Sequence, residues 1–466
     1  MTVSPMTDAA DLGALEAAEQ LRARRLSATE LTDACLRRIE ERNGGSPTLD
    51  GAPDVINAWV RLYPDLAAEQ AALADARRAR EGEEAPRLCG VPIALKDLYA
   101  VQGLPLTASS RVLDADTQAP KDSAAWAALR EQGMVLLGHT HTHEFAAGGT
   151  TDQVGNPHAL DLIAGGSSGG SAAALAARMT PAALGSDTCG SLRIPSACCG
   201  TSAIKPTHGR VSLEGIIPLA PSLDHPGPMG RTVADCAAVL EAMATGTAAI
   251  TPLLPPPLDL GSMPLTARPG PAPLQGVTIA LTDRLAATAM APEVATGYEQ
   301  AAQACRRLGA RVVELDAPGT FDWDDLTWVL MTEMWAYHQA HAERHDRYRE
   351  QVAEFVETAR NFTNGQAYVA AQMRRAGVTA TWERWLAEHA IDAVLEPTFP
   401  ILPLERGPGY DRDHPAGPGD PLIALTALWD MTGMPVVSLP VTWLVGISLA
   451  APRGREAPLA QIAIDL

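Results

Sequence analysis

The chain has 466 residues, 46% of them hydrophobic and 20% charged, a composition that can bury a sizeable core and is not that of a disordered chain. Thirty-six Lys and Arg stand against 55 Asp and Glu, a formal charge of −19, which argues against the basic face that nucleic-acid binding needs. Only three of the basic residues are lysines, Lys96, Lys121 and Lys205; arginine keeps its proton and lysine can lose it, so a lysine retained against this bias is a candidate for chemistry.

Met1 to Asp11 shows neither the basic nor the apolar part of a secretory signal, and no apolar run reaches the ~20 residues of a membrane span. The seven cysteines (Cys35, Cys89, Cys189, Cys198, Cys199, Cys236 and Cys305) are odd in number and form no C-x-x-C pair. They read as reduced thiols serving as small hydrophobes, and the expectation is a soluble, cytoplasmic protein.

In chain order, Leu12, Leu15, Ala18 and Leu21, then Leu31, Cys35 and Ile39, mark two helices, the second opened by a Ser27–Glu30 capping box. Ala67 to Arg80 is a third. Leu88 to Leu95 reads as a buried strand ending on Lys96-Asp97. Ser123 to Gln132 reads as a helix, Met134 to Leu137 as a strand closed by Gly138. A Gly/Ser/Thr-rich stretch from Gly148 to Gly170 precedes an Ala-rich helix, Ser171 to Met179, and a short strand near Pro181 to Leu184. Val233 to Ala244 is helical. Eight prolines between Thr251 and Gln275 exclude a helix or central strand and suggest a surface connection. A strand from Gly276 to Leu281, mainly helix from Trp323 to His389, and strands at Ile391 to Leu395 and Val436 to Leu439 complete an α/β pattern.

Four constellations compete for the chemistry. His139, His141 and His143 alternate as metal ligands on one strand face would, against the plain alternative of a His-rich strand exit. Gly166-Ser167-Ser168-Gly169-Gly170 fits G-x-S-x-G with Ser168 as an α/β-hydrolase nucleophile, for which Asp224 with His225, or His389 and His414, are the available partners. Gly165 to Ser171 resembles a phosphate cradle at a helix start, without the residues that read a phosphate. The fourth joins Lys96, Ser167 and Ser191: a lysine stripped of its charge by burial is a base for a serine, and the glycines let backbone N–H groups approach a carbonyl oxygen.

Gly90-Val-Pro-Ile-Ala-Leu-Lys96-Asp97, Gly165-Gly-Ser-Ser-Gly-Gly-Ser171 and Gly185-Ser-Asp-Thr-Cys-Gly-Ser191-Leu-Arg193-Ile-Pro195, in this order, resemble the amidase signature family. Ile204 to Ser212 continues the likeness, with softer matches at Ser222 to Pro228, Glu396-Pro-Thr398 and Thr432 to Pro435. The resemblance implies a mixed central β-sheet flanked by helices on both faces and one domain over 1–466. Within it, 65–250 is the core with the catalytic residues, 251–275 the proline-rich connection, and 276–466 a second half.

It further implies a Ser–cis-Ser–Lys triad in which Ser191 attacks a carbonyl and Ser167, after a cis Gly166–Ser167 bond, relays the proton to Lys96. Backbone N–H groups of Thr188, Cys189, Gly190 and Ser191 would form the oxyanion hole, with Asp187 and Arg193 bracing the loop. No metal or organic cofactor is implied. The activity implied is hydrolysis of small or aryl amides, with carbamates and esters as related substrates. Trp328, Met331 and Trp335 are candidate pocket residues, with helix packing as the alternative. Three features depart from the family. Cys189 replaces a glycine and is expected to narrow the pocket. His139 and His141 replace the usual Lys and Asn. Leu439 to Gly446 is shorter than the usual loop, which implies a more open mouth. The partner implied is a small-molecule amide, with no nucleic acid and no membrane; a homodimer is left open. The alternatives are the glutaminase-type component of a tRNA-dependent amidotransferase, the Ser168 esterase, and a silent binding protein.

Overall fold

The computed structural model describes residues 8–244, 265–285, 288–407 and 419–466. Its thirteen strands are β1 (Trp59–Leu62), β2 (Pro92–Lys96), β3 (Val135–Thr140), β4 (Gly155–Asn156), β5 (Ala159–Ile163), β6 (Ala182–Asp187), β7 (Ser202–Lys205), β8 (His225–Gly230), β9 (Thr278–Thr282), β10 (Arg311–Leu315), β11 (Ala393–Pro397), β12 (Val436–Pro440) and β13 (Gly446–Ala450). Eleven of them form one sheet in the order β1-β3-β2-β6-β8-β7-β12-β13-β11-β9-β10, and β4 and β5 pair apart. Parallel ladders (β3–β2–β6 and β11–β9–β10) flank an antiparallel centre, so the sheet is mixed and joins strands from both halves of the chain.

The strands around the site are buried along their length, as both faces of β2, β3 and β6 are covered. The Ala-rich helix Gly169–Ala176 lies against them, and its row of small side chains lets it approach β6 and β2 closely. The capping box forms as expected, with Ser27 Oγ accepting from Glu30 N–H at 3.1 Å. No described helix is long and apolar enough to cross a membrane.

Several elements differ from expectation. The strand expected from Leu88 begins only at Pro92, because Gly90 turns the chain with φ +82°. Gly138 does not close β3; it sits in mid-strand, where a Cβ would strike the Arg61 carbonyl of the neighbouring β1. The run His225-Pro-Gly-Pro-Met-Gly230 carries no strand signal yet forms β8. Its ladder to β7 uses only Met229 and Gly230, so the prolines stay outside that register. The expected connection lies outside the described residues for 251–264. Its remainder is irregular and docks, with Arg268 N and Nε donating to Asp465 at 2.6 Å.

Candidate active site

Parallel β2 and β6 are neighbours, so their carboxyl ends place Lys96 beside Ser186 and Asp187 at one sheet edge, where ligands of open α/β sheets bind. Lys96 is fully buried and donates to Ser167 Oγ at 2.7 Å and Ser186 Oγ at 2.9 Å. Burial pushes its ammonium down to about 7, against the pull of Asp187 and Asp224. Lys205 is pushed down to about 7 by the same cause. It donates to the carbonyls of Met434 and Pro206, with no hydroxyl to activate, so geometry separates the two lysines. Lys121 pairs with Glu214 on the surface.

Ser167 follows a cis Gly166–Ser167 bond. Gly166 has no alternative, because a Cβ there would lie against the Thr150 carbonyl. The Ser168 N–H donates to the Ser191 carbonyl at 3.3 Å, which brings the two serine loops together. Ser191 is 8% exposed and opens into a narrow cavity of about 50 Å³, lined by Cys189, Ile194, Leu219, Leu330, Phe355 and Ile423, with Asp420 the one charged side chain among its described residues. A wider cavity of about 790 Å³ lies elsewhere, lined in part by His143, Arg349 and Arg406, and touches none of Lys96, Ser167 and Ser191.

The loop before Ser191 is braced from behind. Asp187 accepts from Arg193 Nε at 2.8 Å and Nη2 at 2.9 Å, and Arg193 also donates to Asp430 Oδ2 at 2.5 Å and the Thr426 carbonyl at 3.0 Å. Burial opposes ionisation of Asp187, but Arg193 outweighs it and holds the carboxyl at about 2. Burial, with ionised Asp187 nearby, pushes Asp430 well up. Asp187 also accepts from the Gly190 N–H at 2.5 Å and the Leu192 N–H at 3.1 Å. The Gly190 N–H is therefore engaged inside the protein, whereas those of Thr188, Cys189 and Ser191 have no acceptor among the described residues.

The rival constellations dissolve. Strand β3 ends at Thr140, so the histidine alternation does not continue on one face. His139 bonds Tyr63 and the Tyr99 carbonyl, and His141 the Thr48 carbonyl, Asn57 and Ser109. Among the described residues no three His, Cys, Asp or Glu side chains gather as metal ligands. Ser168 is fully buried and its Oγ donates to the Ser186 carbonyl at 3.2 Å, with no imidazole partner among the described residues. Asp224 serves Thr188, His389 bonds the Trp385 carbonyl, and His414 lies outside the described residues. The rival phosphate cradle loses the N–H groups at its helix start: that of Ser168 donates to Ser191, that of Gly169 to Thr151 and that of Gly170 to His141.

The Trp-rich helix Trp323–His338 does reach the cavity, but through Leu330. Trp328 and Met331 stand roughly 200° and 100° round the helix from that face, at about 100° per residue. Trp328 meets Phe362 edge-on, Trp335 lies under Arg360, and Met331 is buried in the core. The Leu439–Gly446 turn lines none of the cavity; its Trp443 stacks on His158. Ser186, a second acceptor for Lys96, was visible in the same Gly/Ser run as Ser191, whereas nothing near Asp430 announced it in sequence.

The amidase family model matches residues 30–459. A glutamyl-tRNA(Gln) amidotransferase component from Pseudomonas putida (its A-type polypeptide) is 33% identical, covering 96% of this chain and 95% of that protein. The polypeptide of the same name from Chromohalobacter salexigens is 38% identical over 66% of this chain, an alignment spanning 60% of the relative's length. Among solved structures, 6-aminohexanoate cyclic dimer hydrolase superposes with a TM-score of 0.84 at 27% identity, covering 98% of this chain and 96% of that one. Peptide amidase from Stenotrophomonas maltophilia gives 0.78 at 28%, with coverages of 98% and 96%. By the length of these matches and the shared mixed sheet, this chain belongs to the amidase family and is a hydrolase of carbon–nitrogen bonds.

Proposed function

We propose that the protein hydrolyses small or aryl amides, with carbamates and esters as further substrates, through an acyl-enzyme on Ser191. The observation that carries this reading is the 2.7 Å contact between buried Lys96 and Ser167, in the loop bonded to Ser191. In its neutral form Lys96 accepts the Ser167 proton while Ser167 takes that of Ser191, whose oxygen bonds the substrate carbonyl carbon. Negative charge on the carbonyl oxygen is met by the N–H groups of Thr188, Cys189 and Ser191. As the C–N bond breaks, the proton returns from Lys96 through Ser167 to the departing amine. Water then attacks the acyl group by the same relay, releasing the acid and restoring Ser191.

The apolar lining of Ile194, Leu219, Leu330, Phe355 and Ile423 supports an uncharged acyl group. A second reading, an ammonia-releasing glutaminase that serves an amidotransferase, is favoured by the 33% identity to the Pseudomonas putida protein. It is disfavoured by the absence of a cationic side chain among the cavity's described residues to meet a glutamine carboxylate. Assay of a p-nitroanilide, a carbamate, an ester and glutamine decides between them. The first three are expected to turn over, and glutamine as sole substrate would overturn the proposal.

The kcat/KM profile is expected to rise with pH through about 7 and level above it, because Lys96 is protonated and unable to accept below that value. A flat profile from pH 6 to 9 would remove Lys96 from the base role.

A further inference from the structure

Asp224 takes no part in the steps above, yet it is 5% exposed and sits against the nucleophile loop. Its Oδ1 accepts from Thr188 Oγ1 at 2.6 Å, its Oδ2 from the Leu219 N–H at 3.0 Å, and both oxygens from the Ala220 N–H at 3.2 Å. All these donors are neutral, an expensive setting for an anion, and burial pushes the carboxyl up to about 6. What the contacts achieve is geometric. Thr188 presents one of the open N–H groups, and Leu219 lines the cavity over Ser191. The outer end of the same turn is fixed independently: Ser222 N and Oγ donate to Glu333 at 2.8 and 2.6 Å, and Arg375 Nη2 donates to the Ser222 carbonyl at 2.7 Å. One end of the turn is thus clamped to helices, and Asp224 ties the other to the catalytic loop.

We propose that Asp224 is a positioning residue whose carboxylate fixes Thr188, and with it the oxyanion-binding backbone, against the Leu219–Ala220 wall of the cavity. This rests on the reading of Ser191 as nucleophile. A protonated Asp224 has one oxygen fewer to offer its donors, so the tie weakens as pH falls. The titratable groups that interact with it are Lys96 on β2, Tyr99 in the turn that follows, and Glu333 on the helix Trp323–His338. His225, next in the chain, turns its Nδ1 to the Asp187 carbonyl and Asp430.

The test measures kcat, KM and pH profiles on a p-nitroanilide for Thr188→Val, Thr188→Ser and Asp224→Asn, with circular dichroism to verify folding. Thr188→Val keeps the backbone N–H and loses only the tie; its kcat is expected to fall roughly 10- to 100-fold at little cost in KM, and Thr188→Ser to restore most of it. In the parent enzyme, log kcat/KM is expected to approach a two-proton slope in acid, as Lys96 and Asp224 both titrate, and Asp224→Asn to show a one-proton slope. Parent kcat in Thr188→Val, equal impairment in Thr188→Ser, or a two-proton slope in Asp224→Asn overturns the proposal. If Asp224→Asn does not fold, the two Thr188 variants decide alone. Ser191→Ala in the same assay separates the two readings: if it is active the nucleophile assignment fails, and if it is inactive while Thr188→Val is unimpaired only the role of Asp224 fails.

Discussion

Ser191→Ala is expected to fold, to bind substrate as the parent does, and to lose on the order of 10⁴-fold or more in kcat. The side chain removed is small, and the surrounding wall of Ile194, Leu219, Leu330 and Phe355 does not depend on it. The backbone N–H groups of Thr188, Cys189 and the substituted residue all survive the change, so turnover above the uncatalysed rate is expected to remain. Lys96→Ala and Ser167→Ala would act on the same proposed relay, and combining either with Ser191→Ala is expected to cost little beyond the single change, because residues working as a unit are not additive. Single-turnover measurement on an activated amide reads all of these. Parent activity in Ser191→Ala would exclude the acyl-enzyme.

Arg193→Met is expected to cost about 3–5 kcal/mol of stability, read by denaturant unfolding, and to abolish activity. Asp187, Arg193 and Asp430 have no exposed side-chain surface. Asp430 accepts from the same guanidinium, and burial, with Asp187 nearby, pushes its carboxyl well up, so Asp187 is the carboxyl that Arg193 holds low. Removing the guanidinium leaves Asp187 buried and unpaired, still accepting from Gly190 and Leu192. Arg193→Met together with Asp187→Leu takes out both charges and is expected to regain a large part of the stability, since apolar replacement of a buried pair costs little. Activity does not return, because the same carboxylate sets the backbone path of the loop. Equal stability of the single and double variants would show that the pair is not coupled.

The sequence was most legible where one local pattern decides the outcome. The two N-terminal helices, the capping box, the Val233–Ala244 helix and the buried strand ending on Lys96 all follow from periodicity and caps. The two Gly/Ser loops were readable because few residues other than glycine fit such close backbone approaches, as at Gly166 against Thr150 and at Gly190, where φ is +137°. What could not be read depends on partners distant in sequence. Strand β8 exists because β6 offers it a complete edge, and its own prolines argue otherwise. The choice of Leu330 over Trp328 at the cavity depends on how the helix is rotated against the sheet, which a row of large side chains on several faces does not encode. Asp430 completes the brace from 237 positions away, with no motif to announce it.

That last distance also orders events during synthesis. Ser191 and its glycines leave the ribosome early, but the guanidinium that shapes their loop has no Thr426 carbonyl or Asp430 to grip until much later. At ~5–20 residues per second, 237 positions take roughly 10 to 50 seconds. The side chains proposed to react are therefore translated well before the brace is complete, and a chain broken off before Asp430 is expected to be inert. Because Asp430 directly precedes β12 and β13, the brace and the interior strands of the sheet are completed in the same stretch of chain.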